Sequence, residues 1–289
     1  MRFITGRTTR TLRLAALVAG VLLMSSGVTA EPQAITVAST TSTENSGLFA
    51  YLLPRFTAES GIAVQVVAVG TGQAIRIAKN GDADVLLVHH EASELEFVAD
   101  GFGLARHAVM HNDFVLVGPG DDPAGVRGMK DVAAALRRIG DGEHVFVSRG
   151  DDSGTHKKEL ELWRVTAFDP RPASGTWYRE AGSGMGATLN TASAMGGYTL
   201  TDRASWVSFG NKGDVAILVE GDARLHNPYT AIVVNPERHP HVHATEAQAF
   251  VDWLTSATGQ AAIAAFRVDG QQLFFPDAVA TSGAAAEGS

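Results

Sequence analysis

The sequence predicts an α/β fold of two lobes joined by two crossing strands, with a ligand cleft between them. Three observations predict it. Short apolar runs alternate with longer amphipathic ones, at spacings that suit right-handed parallel crossovers. The alternation occurs twice, once at the start of the chain and again over 116–229. Two apolar strands, Asp113–Val117 and Thr230–Val234, fall where the chain would pass between the two units. Lobes hinged in this way put the default binding site in the cleft.

The first 30 residues stand apart. They carry Arg2, Arg7, Arg10 and Arg13, no acid, and an apolar run from Leu14 to Met24. Val28 and Ala30 supply small residues at −3 and −1 of a cut before Glu31, the pattern of a cleaved secretory signal peptide. The apolar run is about half of what a membrane anchor needs. Next, Ala34–Ala38 reads as a buried strand and Ser39–Gly47 as a polar loop. Leu48, Leu52, Leu53 and Phe56 mark a helix ending near Gly61. Val64–Val69 is a second strand, turned by Gly70, Thr71 and Gly72 into a helix with Ala74, Ile77 and Ala78 on one face. Gly81–Asp84 leads into a third strand, Val85–Val88.

A helical stretch follows around Leu95–Ala99, then a strand over Phe114–Val117 that Gly118 and Pro119 stop. Met129–Ile139 is helical. Val145–Val147 is a strand that runs into the loop Ser148–His156 and a helix over Lys157–Thr166. Gly184–Thr188 starts another helix, and Tyr198–Asp202 reads as a strand end feeding a helix start. Val215–Val219 and Ala231–Val234 are late strands. Ala244–Phe266 reads as one long amphipathic helix, and the Ala-, Ser- and Gly-rich tail after Pro276 as disordered. The expected organisation is a leader over 1–30, lobe I over 31–115 plus 231–276, lobe II over 116–230, and a tail over 277–289.

Composition narrows the function. The chain has 289 residues, is 45% hydrophobic and 19% charged, and so is globular. Its formal charge of −8 hides a basic leader; without it, 259 residues carry −12. That acidity argues against nucleic-acid or anionic-membrane binding. With no cysteine, disulfides, thiol catalysis, Cys-based zinc sites and lipid attachment through Cys are excluded.

Three segments share one design, a strand, a short loop of Gly, Ser and Thr, then a helix N-terminus. They are Thr40, Thr41, Ser42 and Thr43; Gly70, Thr71 and Gly72; and Ser148–Thr155. The run Tyr198, Thr199, Leu200, Thr201 is a candidate fourth. A helix N-terminus offers unpaired N–H groups and about half a positive charge. Hydroxyls and close main-chain approach turn it into an anion site. Singly, each loop reads as plain N-capping; several at the C-terminal ends of parallel strands read as a binding edge. Arg149 adds a planar double donor, Ser153 and Thr155 add hydroxyls, and Gly154 lets the main chain come close. Asp151 and Asp152 are expected to face Arg149 or helix N–H groups, since a carboxylate facing an anion would repel it.

Taken together, these segments resemble the tungstate-binding (TupA-type) family of periplasmic substrate-binding proteins of ABC transporters. The resemblance is carried by Thr40–Thr43 with Ser46 and Gly47, Val69–Ala74, Gly81–His89, Asn112–Pro119, Ser148–His156, Gly184–Gly186, Tyr198–Arg203, Glu220–Asp222 and Asn227–Tyr229. It covers about 35–275. It implies a type II periplasmic-binding-protein fold closing over one tetrahedral oxyanion, tungstate or molybdate, with no cofactor. It implies ligand contacts from Thr40, Thr41, Ser42, Gly70, Thr71, Gly72, Arg149, Ser153, Gly154, Thr155, Tyr198 and Thr199. It also implies a monomer in the periplasm that hands its anion to a membrane permease. The pair His89 and His90 is unfamiliar in that pattern. Phosphate, molybdate or sulfate binding on the same fold is the alternative.

Two other classes fit less well. A hydrolase built on Ser153 and His156 lacks a Gly-x-Ser-x-Gly elbow, and the loop fails the Gly-x-x-x-x-Gly-Lys-Ser/Thr pattern. A zinc site could draw on His239, His241 and His243, or on His107 and His111 if they lie on a helix; a solvated histidine loop is the simpler reading. Trp163, Trp177, Trp206 and Trp253 read as packing residues.

Overall fold

The computed structural model describes residues 33–278. The leader over 1–30 and nearly all of the tail over 277–289 lie outside the described residues. The chain runs β1 (Ala34–Thr40), α1 (Thr41–Asn45), α2 (Leu48–Ser60), β2 (Ala63–Val69), α3 (Thr71–Asn80), β3 (Val85–Val88), α4 (Glu91–Ala99) and β4 (Gly103–Gly118). It continues through α5 (Val132–Asp141), β5 (Phe146–Ser148), α6 (Gly154–Val165), β6 (Tyr178–Glu180), α7 (Met185–Met195), β7 (Thr199–Asp202), α8 (Arg203–Ser208) and β8 (Ala216–Val219). It closes with β9 (His226–Val234), α9 (Ala244–Thr255), α10 (Ala257–Ala265), β10 (Arg267–Val268), β11 (Gln271–Gln272) and β12 (Phe275–Pro276). Among the described residues no helix is long and apolar enough to cross a membrane.

Lobe I is built on strands in the order β12-β4-β9-β3-β1-β2. β1 pairs in parallel with both β2 and β3, and β9 runs antiparallel between β3 and β4. All four residues of β3 are buried, as expected for a strand covered on both faces. The pleat sends Val85 and Leu87 into the core under α2 and α9, and Leu86 and Val88 into the core under α3 and α4.

The strand β4 joins the lobes. Residues 103–113 pair with β9, whereas Phe114–Gly118 pair with β7 and β8 of lobe II. The lobe II half follows the same period-2 rule. Phe114 and Leu116 pack with α5, α6 and Trp163, while Val115 and Val117 pack with Met185, Leu189 and Trp206. Asp131 caps α5 through its Oδ1, 2.9 Å from the Ala134 N–H, and the helix buries Val132, Leu136 and Ile139.

Three expectations change. The segment Thr230–Val234 does not cross between lobes; β9 begins at His226 and pairs with lobe I strands throughout. His107 and His111 lie on a strand, so the i, i+4 helical pairing does not arise. The long C-terminal helix is two helices, because Ser256 takes an extended conformation and its Oγ accepts from the Gly259 N–H at 3.2 Å. Gly259 then packs so tightly under the end of α9 that a Cβ there would sit 2.0 Å from the Trp253 carbonyl oxygen.

This contact gives a test. Gly259→Ala should destabilise the fold by about 1–3 kcal/mol through overpacking of the α9–α10 junction, measured by urea unfolding. Unchanged stability would mean that the junction yields freely.

Candidate functional site

Four strand ends, of β1, β2, β3 and β5, and two substantial helix N-termini meet at one cavity. β1 ends at Thr40, whose Oγ1 lies 3.1 Å from Ser42 Oγ and 2.8 Å from Thr43 Oγ1. Thr40 therefore caps α1 while Thr41 and Ser42 border the cavity. β2 ends at Val69, and Gly70 starts α3 with an extended backbone and no side chain to fill the space. The Thr71 hydroxyl is buried there without a hydrogen-bond partner among the described residues.

Lobe II supplies the opposite wall. After β5 come Arg149 and then Ser153, whose Oγ caps α6 by accepting from the His156 N–H at 3.2 Å. Gly154 and Thr155 form the first turn of α6, and Thr155 Oγ1 is a second buried hydroxyl with no partner among the described residues. Gly154 is where the lobes touch. A Cβ there would lie 2.9 Å from His89 Cε1 and 3.0 Å from Thr71 Oγ1. Cross-cleft bonds surround the contact, from His90 Nε2 to Glu161 Oε1 and from Lys157 Nζ to Ser93 Oγ, each 3.2 Å. The lobes are thus closed over the cavity.

The space between these walls, about 170 Å³ counting what is open to solvent, has no room for a water-sized sphere. Its lining is made of donors. Arg149, 3% exposed, gives Nε and Nη2 to Asp151 Oδ2, which leaves Nη1 without a partner among the described residues. Asp151 also accepts from the Ser153 N–H at 3.2 Å, and the exposed Asp152 faces Lys157 at 3.6 Å. Neither acid is among the residues that line the cavity. An unsatisfied buried hydroxyl costs about 1–3 kcal/mol; an anion accepting from Thr71 and Thr155 would remove that cost.

Of the residues anticipated from sequence, Thr40, Thr41, Ser42, Gly70, Thr71, Arg149, Ser153, Gly154 and Thr155 line this cavity. Gly72 lies one residue further into α3, against Asp152 Oδ2. Tyr198 and Thr199 are not brought to it. The Tyr198 ring is buried in the lobe II core, and its hydroxyl donates to Asp122 Oδ1 and accepts from the Ala124 N–H, each at 2.9 Å. Thr199 lies on β7 opposite Val117. A tyrosine before a Thr-rich strand end does not reveal from sequence which way its ring packs.

Sequence reasoning missed His89 as a lining residue. It follows β3 directly, and the parallel-strand rule that selected the other loops would have selected it too. Its ring stacks on Tyr229 at 4.7 Å, and burial pushes its pKa down to about 4. Behind the Arg149 loop, burial lifts the Glu159 carboxyl to about 7, although the Tyr178 hydroxyl donates to it at 2.7 Å. The three histidines at 239, 241 and 243 serve as props. His239 and His241 reach the carbonyls of Lys79 and Gly81 at 3.0 and 2.9 Å, and His243 reaches Asp84 at 3.3 Å. No group of three or more His, Cys, Asp or Glu able to hold a metal ion occurs among the described residues.

The chain is similar to known proteins. Residues 27–258 match the model of a PBP superfamily domain. The tungstate-binding protein TupA of Peptoclostridium acidaminophilum is 47% identical over 248 residues, covering 84% of this chain and 86% of that protein. The tungstate-binding protein TupA of Campylobacter jejuni is 38% identical, covering 82% and 88%. The solved structure of the tungstate-binding protein TupA from Desulfovibrio alaskensis superposes with a TM-score of 0.75 at 47% identity, over 86% of this chain and 100% of that one.

The Glu159 environment sets a pH test. A carboxyl whose folded pKa is raised stabilises the fold below its unfolded value of 4.5, and that contribution is lost as pH rises through about 7. Unfolding free energy should therefore fall between pH 5 and pH 8, by up to about 3 kcal/mol from this group. Glu159→Gln should flatten that slope in urea titrations; an equally steep slope in the variant would place the loss elsewhere.

Proposed function

The chain belongs to the TupA-type tungstate-binding family within the PBP superfamily, and on that premise we propose that it binds tungstate between its lobes and delivers the anion to an ABC-transporter permease. One observation carries this reading. The closed cavity presents donors from both lobes, and two of them, the Thr71 and Thr155 hydroxyls, are buried with no partner among the described residues.

A fully deprotonated tetrahedral dianion can only accept hydrogen bonds. In this reading lobe I offers Thr40, Thr41, Ser42, Gly70, Thr71 and Gly72, with the N-terminus of the ten-residue helix α3. Lobe II offers Arg149, Ser153, Gly154 and Thr155, with the N-terminus of the twelve-residue helix α6. Donors aimed into a low-dielectric cavity outweigh the −12 charge of the body, which disfavours an anion only at long range. Molybdate has the same shape and charge and should bind as well; sulfate is smaller and should fit loosely. Monohydrogen phosphate brings a proton that needs an acceptor, which the inward-facing donors do not give it.

The role is binding and not catalysis. Ser153, the one serine that could suggest a nucleophile, is occupied as the cap of α6. The leader pattern supports export, and the lack of cysteine leaves no lipid-attachment point, so we place the mature protein free in the periplasm as a monomer.

Calorimetry against tungstate, molybdate, sulfate and phosphate tests the reading. Tungstate should bind tightest and phosphate weakest; saturable phosphate heat with no tungstate heat would overturn it. Arg149→Ala should weaken tungstate binding by about 2–5 kcal/mol, because a buried charge partner is removed. Thr155→Val should cost about 1–3 kcal/mol. Affinities equal to wild type would return both residues to structural roles.

A further inference from the structure

We propose that His90 and Glu161 form the latch of the closed cleft, a bond between the lobes that touches no anion and sets how long a bound anion stays. Ser93 and Lys157 form its second arm. The inference rests on the oxyanion reading above and deepens it, because it assigns the lifetime of the bound state to residues outside the cavity lining.

Donors and acceptors in the latch follow from which groups can only give or only take a hydrogen. The Ser93 N–H can only donate, and it gives to His90 Nδ1 at 3.3 Å, so that His90 caps α4. The Lys157 ammonium can only donate, and it gives to Ser93 Oγ at 3.2 Å. That leaves the Ser93 hydroxyl hydrogen for His90 Nδ1, 2.8 Å away. With Nδ1 accepting, the ring carries its hydrogen on Nε2, which donates to Glu161 Oε1 at 3.2 Å. Protonating the ring keeps that last bond, since Nε2 donates in both states. Turning the ring over would present carbon to both Ser93 and Glu161. The bonds thus leave lobe II at Lys157, pass through Ser93 and His90 in lobe I, and return to lobe II at Glu161.

Both ends are anchored. In lobe I the His90 N–H donates to Glu94 Oε1 at 2.7 Å. The other oxygen of this buried carboxyl accepts from Arg106 on β4 and Thr230 on β9, at 2.7 and 2.8 Å. In lobe II, Gly154, Lys157, Lys158 and Glu161 fall at helical spacing on one side of α6. Gly154 meets His89 and Thr71 at the cavity, Lys157 reaches Ser93 one turn on, and Glu161 reaches His90 two turns on. The helix that presents its N-terminus to the cavity therefore carries the latch along the same side. None of His90, Ser93, Lys157 and Glu161 lines the cavity. The latch forms only when the lobes meet, so it favours the closed state and adds no donor to the open one. The His90 side chain is 12% exposed and that of Glu161 39%, so solvent weakens the bond at its acid end and limits its strength.

An anion enters an open cleft and leaves by reopening it. A weaker latch should therefore speed release and leave capture unchanged. Radiolabelled tungstate, bound to the mature protein and chased with excess unlabelled tungstate, reads release directly. Calorimetry gives Kd, and the release rate divided by Kd gives the capture rate. Glu161→Ala should speed release by about two- to fivefold, with Kd rising by the same factor. Glu161→Gln keeps an acceptor oxygen and should fall between Glu161→Ala and wild type. His90→Asn keeps a good N-cap on α4 but is too short to bridge to Glu161. It should release as fast as Glu161→Ala, and the double variant should release no faster than either single one. Wild-type release rates in both single variants, a loss carried by the capture rate, or additive effects in the double variant would overturn the latch while leaving the binding function intact. Wild-type protein that binds no tungstate would overturn both.

Discussion

A hydrogen-bond donor buried without an acceptor is the constraint on which the rest of this molecule turns. The N-termini of α3 and α6 come from different lobes and meet at one small space, with the Thr71 and Thr155 hydroxyls beside them without partners among the described residues. Helix ends and hydroxyls normally find partners within the protein. Here they are left for something that enters from outside and can only accept. The fold serves this end: β4 lends its first part to one sheet and its last part to the other, so the lobes can meet over the cavity and separate from it.

The same constraint explains where the acids are. A body carrying −12 holds an anion only if its carboxylates are kept off the ligand. Asp151 is spent on Arg149 and on the Ser153 N–H, and Asp152 lies at the cleft rim between Lys157 and Gly72. Glu159 is buried behind the Arg149 loop, and its raised pKa means that it is largely uncharged below neutral pH. Short-range geometry thereby overrides long-range charge.

Much of this was legible from sequence. The Gly, Ser and Thr loops announced themselves because a parallel strand, a tight turn and a helix start each leave a local residue pattern. The pairing of Asp151 with Arg149 followed from charge alone. The rest depends on tertiary contacts that no local pattern encodes. Residues 103–113 alternate too weakly to be read as a strand, yet they pair along β9. The break between α9 and α10 turns on one serine cap within an otherwise continuous apolar face. Tyr198 carries a motif that looks like a binding loop, but its hydroxyl has partners in Asp122 and Ala124. His89, in contrast, read as an unexplained histidine until the fold set it against the cavity, with Asn227, from a strand far along the chain, at its Nδ1.

Tungsten can be located directly. A crystal of the mature protein grown with tungstate, with anomalous diffraction recorded on both sides of the tungsten edge, tests the central claim that the orphaned donors exist for an oxyanion. The account requires one strong tungsten peak between the lobes, with its oxygens within hydrogen-bond distance of Thr71, Thr155 and Arg149. A peak elsewhere, or a closed cleft with tungstate present and no peak between those residues, would contradict it.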